Sequence, residues 1–591
     1  MPKPSRRRPA LTLLAATGVV ASLLAAAPAA AGDRDHDIDR DRGRDARLQK
    51  VQMLSFNDFH GHLEAGEDDR LSVELDPTQT PVGGAEYLAS TLERLRAEAG
   101  DRDSITVAAG DLIGGSTFLS GLFHDEPAVE SLDALGLDTS SVGNHEFDEG
   151  TEELLRMQYG GCHPVDGCYL QDRRGRDIQY PGADFDWLAA NVVNKDDGEP
   201  LLPGTTIERV RGTKIGFIGM TLEATPTLVN PTGVATVDFL DEVETANAQA
   251  AQLRRKGVKA IVVLLHEGGV QAGTYDQCVG ISGPIVEIAQ NLHPSIDAVV
   301  TGHTHQPYTC SIPDPAGNPR SVTSAASFGR VVTETELVID RRTRDVVRKK
   351  VTSTNHLVTR DVADPEQTAI IEKWSAIASP VAGQVVGTIA EDVTGDANTT
   401  TRAVETPMAN LVADAILAGT SGENGGAQIA FTNVGGVRAS FLRDTITNGE
   451  AVGEITYAEA YLVAPFGNLL VSFDLTGAQI KAVLEQQFVP TRGRQTLALG
   501  VSEGFTYTWD ASQPEGSRVV ADSMALDGVA LDLDAVYRVG TLNFLAAGGD
   551  EFTVFPEGTD VVGGVEDIEA LVAYLEANPG ITPPPDRVAG L

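Results

Sequence analysis

Short apolar runs alternate with stretches of helical periodicity through the first half of the chain. Runs at 51–56, 105–109, 139–142, 214–219, 260–265 and 298–301 read as strands, and 85–99, 242–255 and 285–291 read as helices. This alternation points to an α/β domain. Residues 151–180 have a looser pattern and are expected to be a surface insertion, 321–354 are strand-rich, and 365–380 read as a helix ending at Pro380. A chain of 591 residues exceeds what one core organises, so a second domain is expected beyond that helix.

The strand ends carry the chemistry. Asp58 and His60 follow the first strand, Asp111 the second, and the hexapeptide Gly143-Asn144-His145-Glu146-Phe147-Asp148 the third; His266 closes a fourth, and His303 and His305 follow a fifth. Loops beyond strand ends are where α/β proteins place their sites. A helix-capping loop explains any one of these sets, but five of one chemical type point to a site. His62, His124, His163, His293 and His356 have no comparable setting and read as surface or packing residues.

Asp, His and Asn ligands suit borderline or hard divalent ions such as Zn, Mn, Fe or Co. Seven candidate ligands exceed one tetrahedral zinc and suit two ions sharing Asp111, a centre that activates water for phosphoryl transfer. His145 can donate a proton near neutral pH, and Asp148, three residues on, can orient it.

Taken together and in order, these motifs resemble the calcineurin-type metallophosphoesterases, and the chain from about residue 50 to 560 resembles the secreted bacterial 5′-nucleotidase and UDP-sugar hydrolase family. The resemblance implies an αββα sandwich followed by an α+β substrate-binding domain, joined by a helical linker. It implies that Asp58, His60, Asp111 and His305 hold one metal and that Asp111, Asn144, His266 and His303 hold the other. His145, oriented by Asp148, would stabilise the transition state or protonate the leaving group.

Beyond residue 380 there is no histidine, so the second domain cannot repeat this chemistry. Its motifs are Glu405–Leu411, Phe431–Arg438, Ala464–Asn468 and Asn543–Asp550. Arginine and asparagine beside Gly-Gly turns can bind hydroxyl or phosphate groups, and aromatics beside glycine can stack on a flat ring. The resemblance implies that Phe466 and Phe544 sandwich the base, Asp550 and Asn433 bind the nucleoside, and Arg438 with Arg402 reaches ribose or phosphate. It also implies a domain rotation about a hinge near 361–383.

The net charge of −39 argues against a nucleic-acid polymer as partner, because no basic stripe can replace condensed counterions. A basic start (Lys3, Arg6–Arg8), an apolar stretch at 10–27 and Ala29-Ala30-Ala31 read as a cleaved secretory signal, exported by the general or the twin-arginine route. A transmembrane anchor is the alternative, which the short, mildly apolar stretch disfavours. Four cysteines fit an oxidising compartment, with Cys162–Cys168 and Cys278–Cys310 the expected pairs among three possible pairings; a zinc knuckle is the rival reading.

The expected organisation is a signal at 1–31, a charged leader at 32–49, a catalytic domain at 50–360, a linker at 361–383, a substrate domain at 384–580 and a tail at 581–591. The expected protein is an exported monomer without a membrane anchor that uses two divalent ions to remove phosphate from nucleoside 5′-monophosphates. Alternatives are hydrolysis of UDP-sugars, NAD-type dinucleotides or 2′,3′-cyclic nucleotides on the same centre, or an inactive nucleotide-binding or adhesive surface protein.

Overall fold

The computed structural model describes residues 47–66, 69–100, 104–229, 233–422, 425–492 and 494–591. The expected signal, and the leader as far as residue 46, lie outside the described residues. β1 (Leu48–Phe56) starts two residues inside the stretch read as leader: Leu48 and Gln49 pair with Asp340 and Ile339.

β1 is followed by α1 (Ala85–Ala99), β2 (Ser104–Ala109), α2 (Phe118–Gly121), α3 (Glu126–Ala134), β3 (Thr139–Ser141), α4 (Gly150–Tyr159) and β4 (Asp186–Leu188). Then come β5 (Thr205–Val210), β6 (Thr213–Thr221), α5 (Glu242–Arg255), β7 (Ala260–His266), α6 (Pro284–Asn291) and β8 (Ala298–Thr301). The first domain closes with β9 (Tyr308–Pro313), β10 (Pro319–Ser324), β11 (Val331–Asp340), β12 (Asp345–Val346) and β13 (Thr352–Leu357).

Among the described residues these strands form two mixed sheets. One has the order β12-β11-β1-β2-β3-β4, with β13 also on β11; the other runs β9-β10-β8-β7-β6-β5. β1, β2, β3 and β4 are parallel neighbours, as are β6, β7, β8 and β10.

Alternate residues of each central strand face opposite layers. Val51, Met53 and Val107 meet Phe217, Val262 and Leu264 between the sheets. Leu54 and Phe56 turn outward to Leu88 of α1 and Leu132 of α3, while Ile261 and Val263 turn outward to Leu253 of α5 and Ile285 of α6. Both faces of β7 are therefore buried, which is why its sequence is apolar without alternation. The result is the four-layer helix-sheet-sheet-helix arrangement.

The expected insertion at 151–180 is corrected in its first third. α4 carries Leu154 and Met157, both buried, into the core beneath the first sheet, and only the chain beyond it forms a disulfide-closed loop. Cysteines pair as Cys162–Cys168 and Cys278–Cys310.

The linker helix α7 (Pro365–Ala382) starts on Asp364, whose carboxylate accepts from the amides of Glu366 and Gln367. It does not stop at Pro380 but runs on to Ala382. It is fastened to the first domain: Trp374 Nε1 donates to Glu130 at 2.8 Å, Gln367 Nε2 to the Ser131 carbonyl at 3.0 Å, and Lys373 pairs with Glu130.

The second domain contains α8 (Pro407–Thr420), β14 (Ile429–Asn433), α9 (Tyr457–Val463), β15 (Leu469–Thr476), β16 (Leu499–Val501), β17 (Val536–Leu542), β18 (Thr559–Glu566) and α10 (Asp567–Ala577). Its main sheet has the order β16-β14-β17-β15-β18. Leu411, Ile416 and Leu571 pack one apolar core, and Phe431, Phe473 and Trp509 another.

Residues 581–591, read from sequence as a tail, are built into this domain. Arg587 makes a two-point ion pair with Asp414 at 2.7 and 2.8 Å, and Val588 pairs with Tyr507. Between the domains, Phe118 of α2 meets the ring of Tyr461 of α9 at 5.6 Å. No helix among the described residues is long and apolar enough to cross a membrane.

Candidate active site

The parallel strands of both sheets end along one edge, and their polar loops meet there. Asp58 and His60 follow β1, Asp111 follows β2, and Asn144 and His145 follow β3; His266 ends β7, and His303 and His305 follow β8. Asp58, His60, Asp111, His303 and His305 all have φ between 49° and 69°. That left-handed region costs an L residue about 1–2 kcal/mol, and such strain persists where surroundings over-determine the backbone.

The surroundings can be named. The amides of Asp58 and His60 donate to the carbonyls of Gly110 and Asp111 at 3.0 Å each, and the His303 amide donates to the Asp58 carboxylate at 3.1 Å. A Cβ on Gly110 would come within 2.6 Å of the Gly143 amide nitrogen, so only glycine lets these two loops touch.

Glu146, which the sequence reading passed over, ties the loops together. Its carboxylate accepts the amides of Asp111 at 2.9 Å and Leu112 at 2.8 Å, and that of Gly143. Burial, followed by the nearby Asp111 charge, pushes Glu146 up to about 7 against these three donors. Its sequence signal was an acid between the candidate proton donor His145 and Phe147 in a loop already marked by its polar residues. Asn57 acts similarly, donating to Asp58 at 2.6 Å and to the Ala326 carbonyl at 2.7 Å.

Two ligand groups result. His60 Nε2 lies 3.3 Å from His305 Nε2, and His305 Nε2 lies 3.2 Å from Asp58. Asp111 is 3.7 Å from His60 on one side and 2.9 Å from His266 on the other. His303 Nδ1 is 3.0 Å from the Asn144 side-chain oxygen. Asp58, His60 and His305 form one group whose ligand atoms could hold a metal, and Asp111, His266 and His303 another.

The donor chemistry fits cations. His60 Nδ1 donates to the Gly114 carbonyl at 2.7 Å, and His266 Nδ1 to the Ala109 carbonyl at 2.7 Å, so both present Nε2 inward. The Nε2 lone pair of His60 then faces another imidazole nitrogen, and that of His266, buried without a well-aligned hydrogen bond, faces a carboxylate. Such lone pairs repel unless a proton or a metal ion lies between them, and, against the effect of burial, Asp111 opposite it pushes His266 up to about 10.

His145 stands beside both groups, with Nδ1 2.8 Å from Asp148 Oδ2 and its ring 5.0 Å from that of His60. Burial alone would lower its pKa; Asp148 and then Asp111 raise it to about 8. Phe328, another residue not singled out from sequence, presents its edge to His305 at 5.3 Å and stacks on His62 at 3.9 Å. Its signal was an aromatic next to a glycine, the pattern already noted at Phe466.

The second domain closes over this cluster. Phe466 stacks on His145, and the Arg438 guanidinium lies 5.7 Å over the Phe466 ring. Asn433 donates to Asp550 at 2.7 Å, and Arg402 lies beside Gly435 and in the field of Asp550. Burial, then Arg494, then Arg438 lower Arg402 to about 9, so it remains cationic at neutral pH. Phe544 packs on Gly549, where a Cβ would come within 2.4 Å of the ring. Thus Phe466 and Arg438 stand at the metal-ligand groups, while Asn433, Asp550, Arg402 and Phe544 are placed around the Gly549 turn and the loop after β14.

Residues 53–307 match the calcineurin-like phosphoesterase family, and residues 385–557 the 5′-nucleotidase C-terminal domain. An endonuclease of Bacillus subtilis strain 168 is 33% identical over 532 residues, covering 89% of this chain and 40% of that protein. A cell wall protein of Listeria monocytogenes serovar 1/2a is 33% identical over 555 residues, covering 89% of this chain and 67% of its own length. The chain therefore spans under half of the first relative and about two thirds of the second. Among solved structures, a 5′-nucleotidase precursor from Thermus thermophilus superposes with a TM-score of 0.69 at 28% identity, covering 92% of this chain and 99% of that one. With two metal-ligand groups side by side in a calcineurin-like domain, Asp111 lying between His60 and His266, and a 5′-nucleotidase C-terminal domain closing over them, the chain belongs to the 5′-nucleotidase family of metal-dependent phosphoester hydrolases.

Proposed function

We propose that this protein removes phosphate from nucleoside 5′-monophosphates at a centre of two divalent ions. Asp58, His60, Asp111 and His305 would hold one ion, and Asp111, Asn144, His266 and His303 the other. When bound, such a pair supplies an activated water and neutralises charge on the phosphoryl group. The remaining work belongs to the chain. Asp148 holds His145 through Nδ1, leaving Nε2 to donate a proton to the departing ribose oxygen. Arg438 offsets phosphate charge, and Phe466 presents a flat face for the base. Asn433, Asp550, Phe544 and Arg402 complete the nucleoside pocket.

The observation that supports this reading is the stacking of Phe466 on His145, a flat apolar ring beside the candidate proton donor. The test is hydrolysis of AMP, ADP, ATP, UDP-glucose, NAD, 2′,3′-cyclic AMP and single-stranded DNA, read by phosphate assay and by chromatography of the organic products. The protein is stripped with EDTA and resupplied with Mn, Zn or Co. Release led by AMP, with kcat lowered about 10²–10⁴-fold in His145→Ala, is expected. No cleavage of any of these substrates with both metal positions filled would remove the catalytic reading and leave a binding protein.

A second reading has its own observation. Arg494, exposed and near Arg402 and Arg438, adds a third cation to the mouth of the site, more than one phosphate requires. This favours substrates with a pyrophosphate, such as UDP-sugars, NAD-type dinucleotides or nucleoside diphosphates, and the same panel separates them from AMP. The chain is further read as exported, from its basic and apolar first residues, and as monomeric, which size-exclusion chromatography checks.

A further inference from the structure

Away from the metal-ligand groups, a second set of imidazoles and carboxylates meets where three loops converge. His124 follows α2 in a left-handed turn with φ of 47°. Glu149 directly precedes α4. His163 and Asp166 sit in the small ring closed by Cys162–Cys168, where His163 and Gly167 exchange backbone hydrogen bonds of 2.9 and 3.0 Å.

The two histidines stack, with centroids 3.8 Å apart and planes inclined by 19°. His124 Nε2 lies 2.8 Å from Asp166 Oδ2, and His163 Nδ1 lies 3.4 Å from the same oxygen. On its other side His124 Nδ1 lies 2.6 Å from Glu149 Oε2. One nitrogen from each imidazole and one Glu149 oxygen lie within 4.8 Å of one another.

We propose that His124, His163 and Glu149 form an accessory site for one zinc-class divalent ion, with Asp166 orienting both imidazoles. Two imidazoles and a carboxylate are a donor set for Zn, Co or Ni. A carboxylate behind a metal-bound histidine, here Asp166 behind His124, is the usual device for fixing ring orientation, and the Asp166 backbone amide donates to His163 Nδ1 at 3.1 Å. The side chains of His124, His163 and Glu149 are 20%, 12% and 40% exposed, so the ion has a path in and room for water ligands. Uptake displaces the proton that His124 otherwise shares with Glu149.

The site would tie the disulfide ring to the residue next to Asp148, the partner of His145. The ion would therefore brace the catalytic loop without touching substrate. The rival arrangement is a protonated His124 held between Glu149 and Asp166, which binds no ion.

The test counts ions. The full chain is stripped with chelator, equilibrated with Zn²⁺ and freed of excess metal; bound zinc is then measured for the unaltered protein and for His124→Asn, His163→Asn and Glu149→Gln. Each variant is expected to hold one zinc fewer per chain while still releasing phosphate from its substrate. Equal zinc counts in variants with unchanged near-ultraviolet dichroism would overturn the site. Should these variants fold poorly, thermal melting of Asp58→Asn/Asp111→Asn/His266→Asn gives a second measurement. Zn²⁺ is expected to raise its Tm, and adding His163→Asn to abolish the rise. No rise in the triple variant would likewise overturn the proposal.

Discussion

The ring of Phe466, from the second domain, lies parallel to that of His145, from the first, with centroids 5.9 Å apart and planes inclined by 18°. Each ring comes from a loop that its own domain fixes independently, so their register reports how the domains meet.

Replacing Phe466 by alanine removes a base-stacking surface and leaves the metal-ligand groups untouched. Loss of one base–aromatic contact is worth about 1–3 kcal/mol, a rise of about 5- to 150-fold in KM for AMP. Steady-state kinetics at saturating metal, with metal content measured in parallel, checks this; an unchanged KM would mean that the ring only packs against His145.

Glu146→Gln should act on the metals through the loops. A glutamine side chain has one acceptor oxygen for the three amides that Glu146 now receives, so Asp111 loses its fixed position. Metal affinity is expected to fall about 10- to 100-fold, as for other groups that support ligands from behind. Isothermal titration of the stripped protein with Mn²⁺ measures it.

Asp567 predicts a pH dependence of stability. Burial, opposed by donors from Asn468 and Ile568, pushes its carboxyl up to about 7. The folded state therefore favours the protonated form. Its contribution is fully present below about pH 4, the unfolded value, and is lost as pH rises towards 7. A shift of about three units sets an upper limit of about 4 kcal/mol. Urea midpoints between pH 4 and 7 should fall in the unaltered protein and flatten in Asp567→Asn; parallel profiles would contradict the burial argument.

Arg587→Ala tests whether the last residues are structural. Removing one partner of a buried ion pair strands the other, at a cost of about 3–5 kcal/mol, and Arg587 and Asp414 are only 8% and 7% exposed. A comparable drop in stability by chemical denaturation is expected, with KM unchanged.

The site was legible in the sequence to the extent that a strand end can be read. An apolar run that stops at a polar loop announces itself, and Asp58, His60, Asp111, Asn144, His266, His303 and His305 all follow such runs. What could not be read is what one loop does to another. Glu146 holds its neighbours through backbone amides, which leave no residue pattern. His124 and His163 are far apart in sequence until the Cys162 ring folds back. α4 was missed because Leu154 and Met157 give it a short apolar face behind an acidic first turn. The end of the chain looked like a tail because its prolines hide the one arginine that anchors it.

The linker helix has a consequence of a different kind. Trp374, Gln367 and Lys373 fasten α7 to the catalytic domain, so the rotation that the resemblance implies would fall to the few residues between Ala382 and Val385. Every candidate metal ligand lies upstream of that point, and every residue proposed to recognise the nucleoside lies downstream. Metal binding and nucleoside recognition would thereby be written in separate stretches of the chain, and a laboratory seeking new substrates could recombine or diversify residues 402–550 around a fixed Arg438 and Phe466 while leaving the metal-ligand groups intact.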